Sequence, residues 1–205
     1  MAIATEFSPI PPKQDRSVAT RRRLLDAAID ELLASGYSGL TSSAVSRRAG
    51  VSRGAQQHHF PHKDMLVAEA VQYLSSRVVD VLEEEIGAAP HGRARAQHAL
   101  DAIYRSYAGP LFAASVELSL AANHEPALKP IIREHERVVS RSITAVAGGV
   151  FPAEVLARPG FGSRWATALG TARGIAMLRL LGHPADVVDA QWTFARPALL
   201  AVLLD

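Results

Sequence analysis

The chain has 205 residues, and its 48% hydrophobic and 20% charged content is typical of a soluble globular protein and excludes a disordered one. It contains no cysteine, which excludes disulfides, thiolate zinc sites and cysteine nucleophiles. The net charge of +2 hides an asymmetry, because residues 1–63 carry nine Lys/Arg against five Asp/Glu, whereas residues 64–205 carry thirteen against fifteen. A basic N-terminal part favours a polyanionic partner for that part.

The N-terminal stretch MAIATEFSPIPPKQDRS has no apolar segment behind basic residues, so it does not resemble a secretory signal peptide. Its prolines disfavour a helix, and residues 1–15 are predicted to form a flexible tail. Near the other end, the apolar run PALLAVLL is far too short to span a bilayer. We therefore expect a cytoplasmic protein with no membrane partner.

Helical periodicity extends through the rest of the chain, and no run shows the period-two alternation of a strand. Gly36 is the predicted stop of the first helix, Thr41 is a good N-cap for the second, and Pro61 disfavours helix at the residue before it. The fold class is therefore all-α. We predict about nine helices, with approximate bounds 17–35, 42–49, 52–60, 63–85, 100–107, 111–122, 126–147, 162–181 and 185–204.

The two short helices joined by Ala-Gly-Val-Ser form the arrangement of a helix-turn-helix motif. In this interpretation Gly50 permits a left-handed turn, and Ser52 caps the third helix, which enters the major groove of DNA. Arg53 could then pair with a guanine, and Gln56 or Gln57 with an adenine. An ordinary tight helical corner with a polar face fits the pattern equally well, so both interpretations stay open on the pattern alone.

The stretch Thr41–Leu66, TSSAVSRRAGVSRGAQQHHFPHKDML, resembles the signature of the TetR family of transcriptional regulators. The resemblance covers residues 20–70, about a quarter of the chain, and implies a three-helix DNA-binding domain over residues 16–62. It further implies a larger ligand-binding and dimerisation domain over residues 63–205. The shared positions are Thr41, Ala49, Gly50, Val51, Ser52, Gly54, Ala55, His59, Phe60, Lys63 and Leu66.

The resemblance also implies which residues contact DNA, some through phosphates and others in the groove. The chain departs from the family at Gln56 and Gln57, where leucine and tyrosine are common, so the phosphate contact of that tyrosine is not carried over. Whether these glutamines contact bases stays open. The implied DNA-binding residues are Thr41, Ser42, Ser52, Arg53, Gly54, Ala55, Gln57, His58 and Lys63.

Three histidines within five positions raise the alternative of a metal site. His58 and His62 have the spacing of two ligands on one helix face, but Pro61 lies between them and breaks that helix. We therefore expect no metal, with His59 packed inside the helix-turn-helix core and His62 exposed.

Polar residues on otherwise apolar faces of the middle helices are the candidates for a small-molecule site. Among them, Glu117 needs a partner, which is either a cationic effector or an arginine such as Arg105 or Arg133. The candidates are Tyr73, Tyr104, Tyr107, Glu117, Asn123, His124 and His135. The last two helices suit a dimer interface, for which the candidates are Trp165, Gly170, Gly174, Trp192 and Phe194, although these residues suit a monomer core as well.

The predicted function is a ligand-responsive transcriptional regulator that needs no cofactor. By the family's usual mode it is a repressor, which binds a palindromic operator in double-stranded DNA as a homodimer and is released by a small-molecule effector. One alternative is an all-helical small-molecule-binding protein or hydrolase, with Glu117 and His135 as the catalytic pair. Another is a ligand sensor whose helix-turn-helix makes only protein contacts. No sequence motif of a zinc protease, a nucleophile elbow or a phosphate-binding loop supports an enzyme.

Overall fold

The computed structural model describes residues 13–87 and 92–204. All secondary-structure elements in these residues are helices, as the all-α prediction requires. There are ten rather than about nine in the described residues. The helices are α1 (Lys13–Gly39), α2 (Ser42–Ala49), α3 (Arg53–His59), α4 (Lys63–Gly87), α5 (Arg93–Tyr107), α6 (Pro110–Ala121), α7 (Leu128–Val150), α8 (Ala153–Leu156), α9 (Phe161–Leu180) and α10 (Ala185–Leu204).

Two differences from the predicted helices have simple physical reasons. Helix α8 is a single turn, which is too short to show helical periodicity in the sequence. Helix α1 begins at Lys13, inside the tail predicted for residues 1–15, and residues 1–12 of that tail lie outside the described residues. The predicted stop at Gly36 agrees with a break in the helical dihedral angles there, where φ is 67°.

The chain divides into two compact units, Met1–Ala70 and Val71–Asp205, and the division falls inside α4. We call them the N-terminal unit and the C-terminal unit. The sequence places the domain boundary at the start of α4, and that boundary stays a prediction.

The N-terminal unit packs its helices around a small apolar core. Leu24 of α1, Val45 of α2, Phe60 at the end of α3 and Leu66 of α4 are each 0% exposed. Every helix of the unit therefore contributes at least one fully buried side chain, and burial of these apolar groups holds the short helices α2 and α3 in place.

The C-terminal unit has a larger core in which α5, α9 and α10 pack together. Tyr104 and Trp192 stack face to face with ring centroids 4.7 Å apart. Trp192 also donates from Nε1 to Asp101 at 2.8 Å, and Arg196 donates to both oxygens of the same carboxylate. These contacts fasten α10 to α5 through both apolar and polar groups.

Candidate nucleic-acid interface and ligand cavity

The turn between α2 and α3 is shaped by groups at the ends of the two helices. Thr41 caps α2, because its Oγ1 accepts from the Ala44 N–H at 3.2 Å. At the other end Gly50 adopts a left-handed conformation with φ of 63°, which a residue with a side chain rarely adopts. Ser52 then caps α3, since its Oγ accepts from the Ala55 N–H at 3.1 Å. The predicted roles of these three residues in the turn are confirmed.

Arg23 of α1 stabilises this turn through hydrogen bonds to its backbone, a role that the sequence does not indicate. Its guanidinium donates to the carbonyl of Ala49 at 2.6 Å and to that of Gly50 at 3.0 Å. A cation at this position satisfies carbonyls that the end of α2 leaves without a helical partner. Arg23, the last arginine of the run Arg21-Arg22-Arg23, therefore binds backbone carbonyls of the protein.

Helix α3 turns a polar face to solvent. Arg53, Gly54, Gln57 and His58 are exposed, whereas Ala55 is half-buried. Arginine and glutamine are side chains that form paired hydrogen bonds with base edges. Arg53 is the first residue of α3, at the end that a recognition helix presents to the groove, and Gln57 lies one turn further along the helix. The structure thus brings the predicted groove residues together on one accessible surface.

Gln56, which the sequence left open as a base contact, is only 1% exposed. Its Nε2 donates to the carbonyl of Phe60 at 2.8 Å, and its Oε1 has no hydrogen-bond partner among the described residues. A side chain that is enclosed in this way cannot reach a base. The possibility that Gln56 pairs with an adenine is therefore wrong, whereas that of Gln57 stays a prediction.

The three histidines do not form a metal site. His58 and His62 are exposed, and His59 is half-buried beside the Phe60 ring rather than packed inside the core as predicted. Burial, with smaller effects of His58 and Arg21, lowers the pKa of His59. Across residues 13–87 and 92–204, no group of three or more histidine, aspartate or glutamate side chains has the arrangement of metal ligands.

The start of α4 carries the remaining predicted DNA contact, Lys63. Its Nζ lies 4.3 Å from the centre of the Tyr37 ring, close enough for a cation–π contact. Nearby, Arg21 forms an ion pair with Glu69, which ties α1 to α4. Lys63 is half-buried and so partly open to solvent, and a phosphate contact is compatible with its position.

Comparison with known proteins agrees with this geometry. The sequence profile of the family described as "Bacterial regulatory proteins, tetR family" matches residues 24–70, which contain α2, α3 and the first turns of α4. Residues 24–70 of the chain therefore match the TetR family.

The chain is similar to CymR of Pseudomonas putida, an HTH-type transcriptional regulator that is 31% identical over 128 residues. That alignment covers 62% of this chain and 62% of CymR. A solved transcriptional regulator from Rhodococcus sp. Rha1 is 27% identical, with 89% of this chain and 91% of that one covered and a TM-score of 0.56. The multidrug binding protein EbrR, solved with imidazole, shares the fold at 21% identity, 94% and 96% coverage and a TM-score of 0.59.

In the C-terminal unit, His135 is at the centre of a buried network of hydrogen bonds. It is 4% exposed, with Nδ1 2.7 Å from the hydroxyl of Ser75 and Nε2 2.9 Å from that of Ser115. These hydrogen bonds join α4, α7 and α6. Burial lowers the pKa of His135, and the adjacent Glu136 opposes that effect only in part. Sequence reasoning found the histidine and missed both serines, although a buried imidazole requires partners.

Tyr107 also lies inside this unit, 5% exposed, and burial raises its pKa. Tyr104 makes a different contact from the predicted one, because its hydroxyl donates to Asp189 at 2.7 Å and its ring stacks on Trp192. Burial, assisted by Asp189, raises the pKa of Tyr104 to about 12. Its position is that of a structural group between α5 and α10.

The other predicted ligand residues are less enclosed. Asn123 and His124 are exposed in the turn after α6, so the prediction that they lie on an apolar face of a helix is wrong. Tyr73 and Glu117 are half-buried, and each is engaged in an interaction within the protein. Tyr73 accepts from Arg77 at 3.1 Å, which gives it a partner on its own helix.

The predicted dimer residues separate into two groups. Trp165 and Trp192 are 3% and 4% exposed and belong to the monomer core, so their assignment to an interface is wrong. Phe194 is 89% exposed, and Gly170 and Gly174 have open space where a side chain would be.

By length and composition alone, helix α10 is long and apolar enough to cross a membrane. Within the protein, 22% of its apolar stretch is buried.

Proposed function

We propose that the chain is a transcriptional repressor of the cytoplasm that binds a palindromic operator as a homodimer and is released by a small-molecule effector. The observation that carries this proposal is the exposed face of α3, where Arg53, Gln57 and His58 project from a helix whose start is capped by Ser52. A rigid helix with exposed paired-hydrogen-bond donors is what direct contact with base edges requires.

The dimer part of the proposal is supported by the exposed apolar surface of α9 and α10. Phe194 is 89% exposed, Leu181 71% and Val202 49%, and exposed large apolar side chains are a feature of protein–protein interfaces. The open backbone at Gly170 and Gly174 permits a second helix to approach closely. A two-fold protein also matches a palindromic operator.

The effector part is supported by the polar groups buried in the C-terminal unit. The Ser75–His135–Ser115 chain and the Tyr107 hydroxyl lie among apolar side chains, a combination that is usual in small-molecule sites. EbrR, which has the same fold, was solved in complex with imidazole, so the fold accommodates a ligand in that protein.

A hydrolase receives less support. Serine–histidine pairs occur in hydrolases, but both serines here are buried, at 5% and 6% exposure. The hydroxyls of Ser75 and Ser115 also lie 2.9 and 3.0 Å from the carbonyls of Val71 and Leu111 in their own helices. Both ring nitrogens of His135 already have a serine partner. The arrangement therefore suits a structural link better than an activated nucleophile.

The experiment that tests the proposal selects bound duplexes from a fragment library of the source genome, with the purified full chain near physiological salt. Recovery of a palindrome is expected. On that palindrome Arg53→Ala is expected to cost about 1–3 kcal/mol at one base position. Arg93→Ala, an exposed arginine at the start of α5, is the matched control and should bind like the parent. Equal binding of both variants to specific and scrambled duplexes would refute sequence-specific recognition through α3.

A further inference from the structure

Two neighbouring hollows lie inside the C-terminal unit. The larger, of about 290 Å³, is formed by α4, the end of α5 and the start of α6, and we call it the outer groove. The smaller, of about 20 Å³, is lined by Tyr107, Ser115 and His135, and we call it the inner cavity. Val78 and Ser106 line both, so these two side chains form the partition between them.

The charges that line the two hollows do not suit a cation. Glu85 accepts from Arg105 at 2.5 Å, and Glu136 lies 3.9 Å from Arg173. Each carboxylate in the two linings is thus matched by a guanidinium. Glu117, for which a cationic effector was one expected partner, lines neither hollow.

Arg105 has donor capacity to spare. Its Nε and Nη2 both donate to one oxygen, Oε2 of Glu85, at 3.2 and 2.5 Å. Its Nη1 has no hydrogen-bond partner among residues 13–87 and 92–204, and half of the side chain is exposed. A guanidinium with this geometry can donate to a second carboxylate while it keeps its bonds to the first.

The remaining lining of the outer groove is mostly apolar, with hydrocarbon from Val78, Val81, Pro110 and Leu111. Its other polar residues are Ser106 and Arg77, and Arg77 donates to the Tyr73 hydroxyl at 3.1 Å. The volume is at the lower end of the range for ligand pockets, which suits a molecule with a single ring.

We propose that the effector is a small organic acid, whose apolar ring occupies the outer groove and whose carboxylate binds the Arg105 guanidinium. This inference rests on the proposed function, since it names the chemical class of the effector that the regulator binds. It also indicates how a ligand in the outer groove affects the buried hydrogen bonds of Ser75, His135 and Ser115. Val78 and Leu111 in the groove lie one helical turn from Ser75 and Ser115, so a ligand that displaces them shifts both serine partners of His135.

The test uses benzoate, benzamide and benzamidine, which share a ring and size and differ in charge. Binding to the purified full chain near neutral pH is measured by calorimetry and ligand-detected NMR. We expect benzoate to bind about tenfold more tightly than benzamide, because it adds a charge-assisted hydrogen bond, and benzamidine to bind most weakly. Arg105→Gln should remove the preference for benzoate and leave benzamide binding unchanged, whereas Arg93→Gln on the same helix should change neither.

A second variant, Val81→Phe, fills the groove and should weaken all three probes while the circular dichroism spectrum stays that of the parent. Benzamidine as the tightest probe, unchanged benzoate binding by Arg105→Gln, or no binding of any probe would each overturn the inference. Operator binding separates this failure from that of the proposed function. A chain that binds its operator and ignores benzoate is a regulator of another effector class, and a chain that binds benzoate without any operator is a sensor that does not act on DNA.

Discussion

The two units use polar residues in opposite ways. In the N-terminal unit, the groups proposed to meet the partner, such as Arg53 and Gln57, are exposed, and the buried polar group Gln56 keeps an oxygen without a partner. In the C-terminal unit the polar group of interest, His135, is buried and fully paired. Recognition of a large polyanion needs an open surface, whereas a small-molecule site needs an enclosed one. The contrast indicates that the units can be disturbed separately.

Phe60→Ala is the largest disturbance we expect in the N-terminal unit. The side chain is 0% exposed, and its removal should destabilise that unit by about 3–5 kcal/mol and abolish DNA binding. Both tryptophans, Trp165 and Trp192, belong to the C-terminal unit, so tryptophan fluorescence should stay unchanged. Met65→Ala, which truncates a side chain that is 44% exposed, is the control. A changed tryptophan spectrum in Phe60→Ala would show that the two units are not independent.

Gln56→Leu should have a smaller effect of opposite sign. It removes a buried carbonyl oxygen without a partner and should stabilise α3 by about 1–2 kcal/mol. Slower hydrogen exchange of the α3 amides would report this, and operator affinity should be preserved because Gln56 does not reach DNA. The same change at the exposed Gln57 should leave exchange unaltered. Faster exchange in Gln56→Leu would mean that the bond to the Phe60 carbonyl outweighs the unpaired oxygen.

Acid should destabilise the C-terminal unit through His135. Burial lowers its folded-state pKa, so the stability it contributes is present above the ordinary histidine pKa and is lost as the pH falls toward the folded value. Urea unfolding followed by tryptophan fluorescence should show a slope below about 1.4 kcal/mol per pH unit between about pH 7 and pH 5.5. His135→Gln, which can still bond to serine, should flatten the slope. His59→Gln, in the N-terminal unit, should leave the tryptophan signal alone, and a flattening there would contradict the assignment.

The smallest effect is expected at Lys63. Lys63→Gln should weaken binding to all duplexes alike and reduce the salt dependence of the affinity by about one unit, as the loss of one phosphate contact does. Titrations at several salt concentrations measure this slope, with the exposed Lys129→Gln of the other unit as control. An unchanged slope would mean that the Tyr37 ring, 4.3 Å away, is the main partner of the ammonium.

Local signals predicted the N-terminal unit better than the C-terminal one. Thr41, Gly50 and Ser52 act on backbone groups within a few residues, so their roles are visible in sequence and the turn was predicted correctly. Gln56 could not be assigned, because a polar side chain in a short helix is expected at the surface. Arg23 was missed because its carbonyl partners are 26 and 27 residues away.

The C-terminal unit depends on contacts between distant helices, and there the predictions were less accurate. Helices α9 and α10 are apolar on most sides, so periodicity does not distinguish the buried Trp192 from the exposed Phe194. Ser75 is 60 residues from His135, and a serine within a helix carries no signal of burial. The serine partners of His135 therefore required the fold.

The hydrogen bonds of Arg23 to the end of α2 have a consequence for how the residues of α3 can change in evolution. The turn before α3 is held by Arg23, Gly50 and the Ser52 cap, none of which depends on the side chains at positions 53, 57 and 58. Those three positions can therefore exchange residues without disturbing the packing beneath them. A duplicated copy of the gene could acquire a new target sequence by drift at these sites alone, with foldability retained throughout.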